Sequence, residues 1–148
     1  MKSTVRFLAA LFTAITLFTF SAVYAEDAVK LLIIRSTQKP PAEVVAAIKA
    51  YTQEKKWLYL GDNKIKKGEV RLVKVCIPSI GKYVWAAGME YSAMLPCGNL
   101  SIYMKNGATQ ISLLDPGFMN RLHPDPNLKK LGDETRPLFE AMLDSVTK

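Results

Sequence analysis

The sequence predicts an α+β fold: a two-layer sandwich with a mainly antiparallel sheet and helices on one face, in the order β-α-β-β-α-β-β-α. Three observations carry this. Short runs rich in aliphatic and aromatic residues, "KLLIIRS", "WLYLG" and "GEVRLVKVCIP", alternate with a segment of helical period. Two further runs, "NLSIYMK" and "ATQISLL", flank Asn106-Gly107, a dipeptide that accepts the positive φ angles of a tight hairpin turn. The chain then closes on a long stretch whose apolar residues recur every three or four positions. Elements of this kind bury their apolar surface as one sheet under one layer of helices.

Each element has its own justification. "KLLIIRS" (Lys30 to Ser36) is a short continuous apolar run and reads as a buried strand. Pro40 and Pro41 stop it and open a helix, because the first helical turn does not use the N–H that proline lacks. Val44, Ile48 and Tyr51 fall on one face of that helix, with Ala46, Ala47 and Ala50 favouring it throughout. "WLYLG" and "GEVRLVKVCIP" are the second and third strands, joined by a polar piece in which "GDN" and Gly68 read as turn signals. A helix from about Ser79 follows. Closing the turn at Asn106-Gly107 pairs Lys105 with Ala108, Ile102 with Ile111 and Leu100 with Leu113, which puts all four apolar residues on one face. Phe118, Met119 and Leu122 suit a short helical turn that Pro124 ends. Asp125 as cap and Pro126 at the first position open the last helix. Its expected stripe is Leu128, Leu131, Thr135, Leu138 and Met142, with Gly132 and Pro137 predicting a kink or a restart capped by Asp133.

The first 25 residues read as a cleavable signal peptide. Lys2 and Arg6 precede the apolar run "FLAALFTAITLFTFSAV", and small Val23 and Ala25 occupy the positions that a signal peptidase reads. A membrane anchor competes, since Phe7 to Val23 is close to the shortest spanning length. The run is diluted by threonines and a serine, and acidic Glu26-Asp27 follows it, so export to the periplasm with no transmembrane segment after cleavage is the expectation. Residues 26–148 then form a single α+β domain. Its 18 Lys and Arg against 13 Asp and Glu give a balance of +5, scattered rather than striped. Only "KIKK" (Lys64 to Lys67) is dense, and no aromatics interleave with it, so nucleic acid is not expected as a partner. A solvated loop or a strand-edge charge explains the run.

From "VCIP" through a helix to "MLPCGNLSIYMKNGATQISLLDP" the chain resembles domain of unknown function family 302. The pieces that carry the likeness are Cys76-Ile77-Pro78, Leu95-Pro96-Cys97 and Asp115-Pro116, and it extends over about Lys30 to Val146. The resemblance implies a compact α+β fold and no established reaction.

The candidate site residues are Cys76, Pro78, Pro96 and Cys97. In an oxidising compartment a lone cysteine pair suggests a disulfide. Geometry opposes it if the strands bearing the two thiols run parallel, because a helix crossing between them would separate the sulfurs by ~15 Å. Disulfide, two separate buried thiols, and a metal or redox site all stay open. The first requires the helix after Cys76 to end near Gly88 to Tyr91, and Glu90 to Pro96 to run back extended toward Cys76. For a metal, Cys76, Cys97, Met94 and His123 are donors of the type copper accepts, without the tight spacing of a strong motif. The methionines have a simpler use: Met89 and Met94 at the helix end, Met104 and Met119 as core fillers. No CxxCH motif is present, so covalent haem is excluded, whereas copper or non-covalent haem is not; the sequence requires no cofactor. One histidine and no GxSxG elbow make a hydrolytic triad hard to assemble, although Glu90, Asp115 and Asp133 supply carboxylates. Two functions follow. One is a non-catalytic binding or interaction module, as monomer or homodimer, that recognises a small molecule or protein through the sheet face or the cysteine region. The other is a thiol-based redox or metal- or haem-handling envelope protein that uses Cys76 and Cys97 directly.

Overall fold

The computed structural model describes residues 31–95, 97 and 99–148. The expected leader with its cleavage point after Ala25 lies outside the described residues, as do Pro96 and Gly98. Within the unit Leu32–Lys148 the order is β1 (Leu32–Thr37), α1 (Pro41–Glu54), β2 (Leu58–Ile65), β3 (Val70–Cys76), α2 (Gly81–Ala87), β4 (Asn99–Lys105), β5 (Ala108–Leu114), α3 (Phe118–Leu122) and α4 (Pro126–Thr147). Short 3-10 turns occupy Lys66–Gly68, Pro78–Ile80 and Met89–Met94. The five strands lie in the order β1-β5-β4-β3-β2, and every neighbouring pair is antiparallel. The α+β class and the antiparallel sheet are as the sequence predicts. Among the described residues no helix is long and apolar enough to cross a membrane.

The hairpin register is the predicted one. Lys105 faces Ala108, Ile102 faces Ile111 and Leu100 faces Leu113, with Asn106 and Gly107 at φ 52° and 77°. Those four aliphatic side chains are fully buried, together with Ile33, Val73 and Val75 from the neighbouring strands. They meet Val44 and Ile48 of α1 and Leu128, Leu131, Phe139, Met142 and Leu143 of α4. The other face of the sheet carries Leu32, Ile34 and Leu72 at 42%, 44% and 40% exposure. One face is thus buried under helices, the asymmetry that an antiparallel sheet permits.

Four expectations need correction. "GDN" is not a turn: β2 runs through it, with a bulge between Tyr59 and Gly61 that Gly61 accommodates at φ 111°. The bulge brings Tyr59 and Asp62 together, so the Tyr59 hydroxyl donates to Asp62 Oδ1 at 3.1 Å while Arg71 pairs with Oδ2. The Arg71 hydrogen bond holds the Asp62 carboxyl below its ordinary range. Burial, reinforced by the bond to Asp62, pushes the Tyr59 phenol up to about 12. Second, α4 continues through Gly132 and Pro137 without a restart at Asp133, and its buried stripe takes Phe139 in place of Leu138, which is exposed. Third, Glu90 and its neighbours do not run back extended but coil as a 3-10 turn over Met89–Met94. Fourth, Met89 and Met104 are exposed, whereas Met119 is fully buried and Met94 packs against the core.

Candidate ligand-binding site

Because β3 and β4 are antiparallel, the end of one and the start of the next lie at the same end of the sheet. That removes the separation a parallel pair would have imposed. Helix α2 ends at Ala87, and Gly88 at φ 151° turns the chain, as the early stop requires. Cys76 and Cys97 are joined as a disulfide with their Cα atoms 4.3 Å apart. Across the separation of 21 residues, such a bond stabilises a fold by about 3 kcal/mol on the chain-entropy model. Bonded to each other, neither sulfur is a thiolate that could ligate a metal.

The other candidates are dispersed or shared out as follows. Pro78 opens the 3-10 turn after β3 and lines a recess beside the disulfide. Met94 is packed against the core. His123 is exposed at the end of α3, with its ring stacked on Tyr91 at 4.6 Å between centroids and Nε2 2.8 Å from the Tyr91 hydroxyl. Among the described residues no three His, Cys, Asp or Glu side chains converge on one point where they could hold a metal ion.

The recess has a volume of about 220 Å³ and both cysteines belong to its wall. Leu58 enters from β2, and Ile77, Pro78 and Ile80 come from the turn after β3. Gly81 and Trp85 of α2 form the rim, with Leu95 beyond the 3-10 turn. Leu131, Thr135 and Phe139 of α4 make the floor. A Cβ at residue 81 would stand 3.2 Å from the Trp85 Nε1, so glycine allows the indole to fold back over the start of its own helix. Phe139 is held from behind by Trp57, edge-on at 5.7 Å, and Trp57 in turn meets Tyr51 of α1 at 5.6 Å. The wall is therefore backed by aromatic packing on the helix side and tied by the disulfide on the strand side.

Its polar side chains are few. The Trp85 indole stands at the rim, 46% exposed. Thr135 lines the floor at 2% exposure, and its Oγ1 has no hydrogen-bond partner among the described residues. A buried hydroxyl left in that state costs about 1–3 kcal/mol. No ionisable side chain lines the recess among the described residues. The sequence marked Cys76, Cys97 and Pro78 but not Leu58, Trp85, Leu95 or Phe139. The Gly81 to Trp85 spacing of one helical turn was the available signal for the rim.

A second concavity, of about 250 Å³, lies around Asp115. Asp115 is buried, yet its carboxylate is fully engaged. Oδ1 accepts the Gly117 N–H at 2.9 Å, and Oδ2 pairs with Arg136 and lies 3.9 Å from Arg121. Gly132 lets α4 approach this turn, since a Cβ there would come within 2.8 Å of the Gly117 Cα. This is a joint between a loop and a helix, with its donors and acceptors matched.

No curated protein sequence matches the chain. A solved structure, the crystal structure of uncharacterized conserved protein DUF302 from Bacillus stearothermophilus, is similar with a TM-score of 0.70 at 17% identity, covering 80% of this chain and 98% of that one. At that identity the likeness is one of fold. The family described as Domain of unknown function DUF302 matches over residues 33–146. With the match running from the first strand to the last turn of α4, the chain belongs to the DUF302 family.

Proposed function

We propose that this protein is a non-catalytic binding module whose ligand is a small molecule of largely apolar surface, seated in the recess against the Cys76–Cys97 disulfide. The observation that carries the reading is the recess itself: about 220 Å³ of space in which aliphatic and aromatic side chains dominate the lining. Concave, mostly apolar sites with a few placed polar groups are the usual form of small-molecule sites. A reactive constellation is not part of this proposal, because the cysteines are spent on each other and the carboxylate with the deepest burial, Asp115, is committed to Arg136.

Toluene is a suitable first probe, followed by the two tryptophan indole N–H resonances in a 15N-correlated NMR spectrum. Saturable movement of the Trp85 signal, assigned through Trp85→Phe, is expected. Immobile Trp85 and floor resonances up to the solubility limit of toluene would sink the proposal.

The same reading places the protein in the periplasm. Its supports are the basic start, apolar run and "VYA" end of residues 1–25, and a disulfide, which persists in oxidising compartments. The mass of protein recovered from the periplasm should correspond to a chain beginning at Glu26. A chain retaining Met1 and sedimenting with membranes would favour the anchor instead.

A further inference from the structure

We propose that one end of the sheet is a docking surface for an anionic phospholipid membrane, engaged by the tips of two neighbouring hairpins through lysines and two exposed apolar side chains. The tips are the β2–β3 turn at Lys66–Gly68 and the β4–β5 turn at Asn106-Gly107. They stand side by side because β3 and β4 are antiparallel neighbours: Ile65 pairs with Val70, Val70 with Tyr103, and Lys105 with Ala108. Lys66 and Met104 accordingly line one concavity, together with Val70 and Tyr103. The disulfide lies at the opposite end of β3, so this surface is independent of the recess and of the binding reading above.

Along the chain, Lys64 to Lys67 is an isolated basic run; the fold brings Lys105 to it. Lys64, Lys66, Lys67 and Lys105 are all exposed. The carboxylates nearby are largely committed. Glu69 pairs with Lys66 at 2.8 Å and Asp62 pairs with Arg71, while Glu43 stands in the first turn of α1. Lys64, Lys67 and Lys105 form no ion pair among the described residues. The surface potential of an anionic bilayer attracts such lysines within about a Debye length. The turn also presents them under strain: Lys66 and Lys67 both take left-handed φ angles, 49° and 54°, which L residues adopt infrequently. Two apolar side chains favour a membrane over a soluble polyanion. Ile65 is 44% exposed and Met104 54%, and each is next to a lysine in sequence. Apolar side chains set among lysines suit the boundary between headgroups and acyl chains, where both find partners. A soluble polyanion would satisfy the lysines and leave Ile65 and Met104 in water.

The test is co-sedimentation of protein recovered from the periplasm with two kinds of vesicle, phosphatidylglycerol mixed equally with phosphatidylcholine, and phosphatidylcholine alone. Binding to the anionic vesicles is expected, weakening as salt is raised. Replacing Lys64→Gln, Lys67→Gln and Lys105→Gln together should lower the affinity by about 5-fold per lysine. All three positions are exposed, so the circular dichroism spectrum should not change. Ile65→Ser with Met104→Gln should lower the affinity several-fold with every lysine in place, because the inserted apolar area is lost. No binding to anionic vesicles, or equal binding to neutral ones, overturns the proposal. So does full affinity in the lysine variant. If the lysines matter but the Ile65 and Met104 replacements leave affinity unchanged, the surface is a general polyanion contact and the assignment to a membrane falls.

Discussion

Thr135 and Arg136 are neighbours on α4, and they serve two buried polar environments of opposite character. Arg136 reaches Asp115, whose two oxygens are occupied by a guanidinium and a backbone N–H. Thr135 is buried beside the apolar recess, and its hydroxyl has no hydrogen-bond partner among the described residues. Both Asp115 and Thr135 are at most 2% exposed, so burial alone does not distinguish them. Satisfaction does. A saturated buried carboxylate is architecture, and its removal should be felt in stability. An unsatisfied hydroxyl is a standing cost, and its removal should be felt with the opposite sign.

Removing either group should break this contrast in opposite directions. The larger effect is expected at Asp115. Asp115→Asn retains an acceptor for the Gly117 N–H but loses the charge that Arg136 and Arg121 complement, and should destabilise the fold by about 2 kcal/mol. Urea unfolding followed by circular dichroism would read this directly. A midpoint equal to that of the parent protein would mean that the pairing with Arg136 contributes nothing and the joint rests on packing alone. The smaller effect has the other sign. Thr135→Val should stabilise by about 1 kcal/mol, because a methyl replaces an unpaired buried hydroxyl of the same shape. Destabilisation in the same assay would show that the hydroxyl already has a partner in solution.

Much of this architecture was legible in the sequence, for identifiable reasons. The hairpin register was readable because Asn106-Gly107 and the alternation of Leu100, Ile102, Ile111 and Leu113 specify it independently. The cap at Asp125 was equally plain, and its Oδ1 accepts the N–H of Asn127 and Leu128 at 2.7 and 3.2 Å. Where the reading failed, a local signal had two outcomes and a distant contact chose between them. Leu138 and Phe139 lie about 60° and 40° to either side of Thr135 on the helix, and packing against Trp57 selects Phe139. "GDN" has turn composition, yet the ladder with β3 carries β2 through it. The recess was the least legible part. It assembles from Leu58, the turn at Ile77–Ile80, Trp85 and α4, and no spacing along the chain announces that these meet.

The strand order has a consequence for how the protein is made. Among the described residues, strand β1 stands at an edge of the sheet with β5 as its one neighbour, so Leu32 pairs with Leu114. Strands β3, β4 and β5 follow one another in both sequence and space, and can pair as soon as each has been synthesised. A chain that emerges from its N-terminus onward therefore produces β1 first and can seat it in the sheet only after β5 exists. Until then its aliphatic residues have no sheet to cover, and the first strand made becomes the last that the ladder can receive.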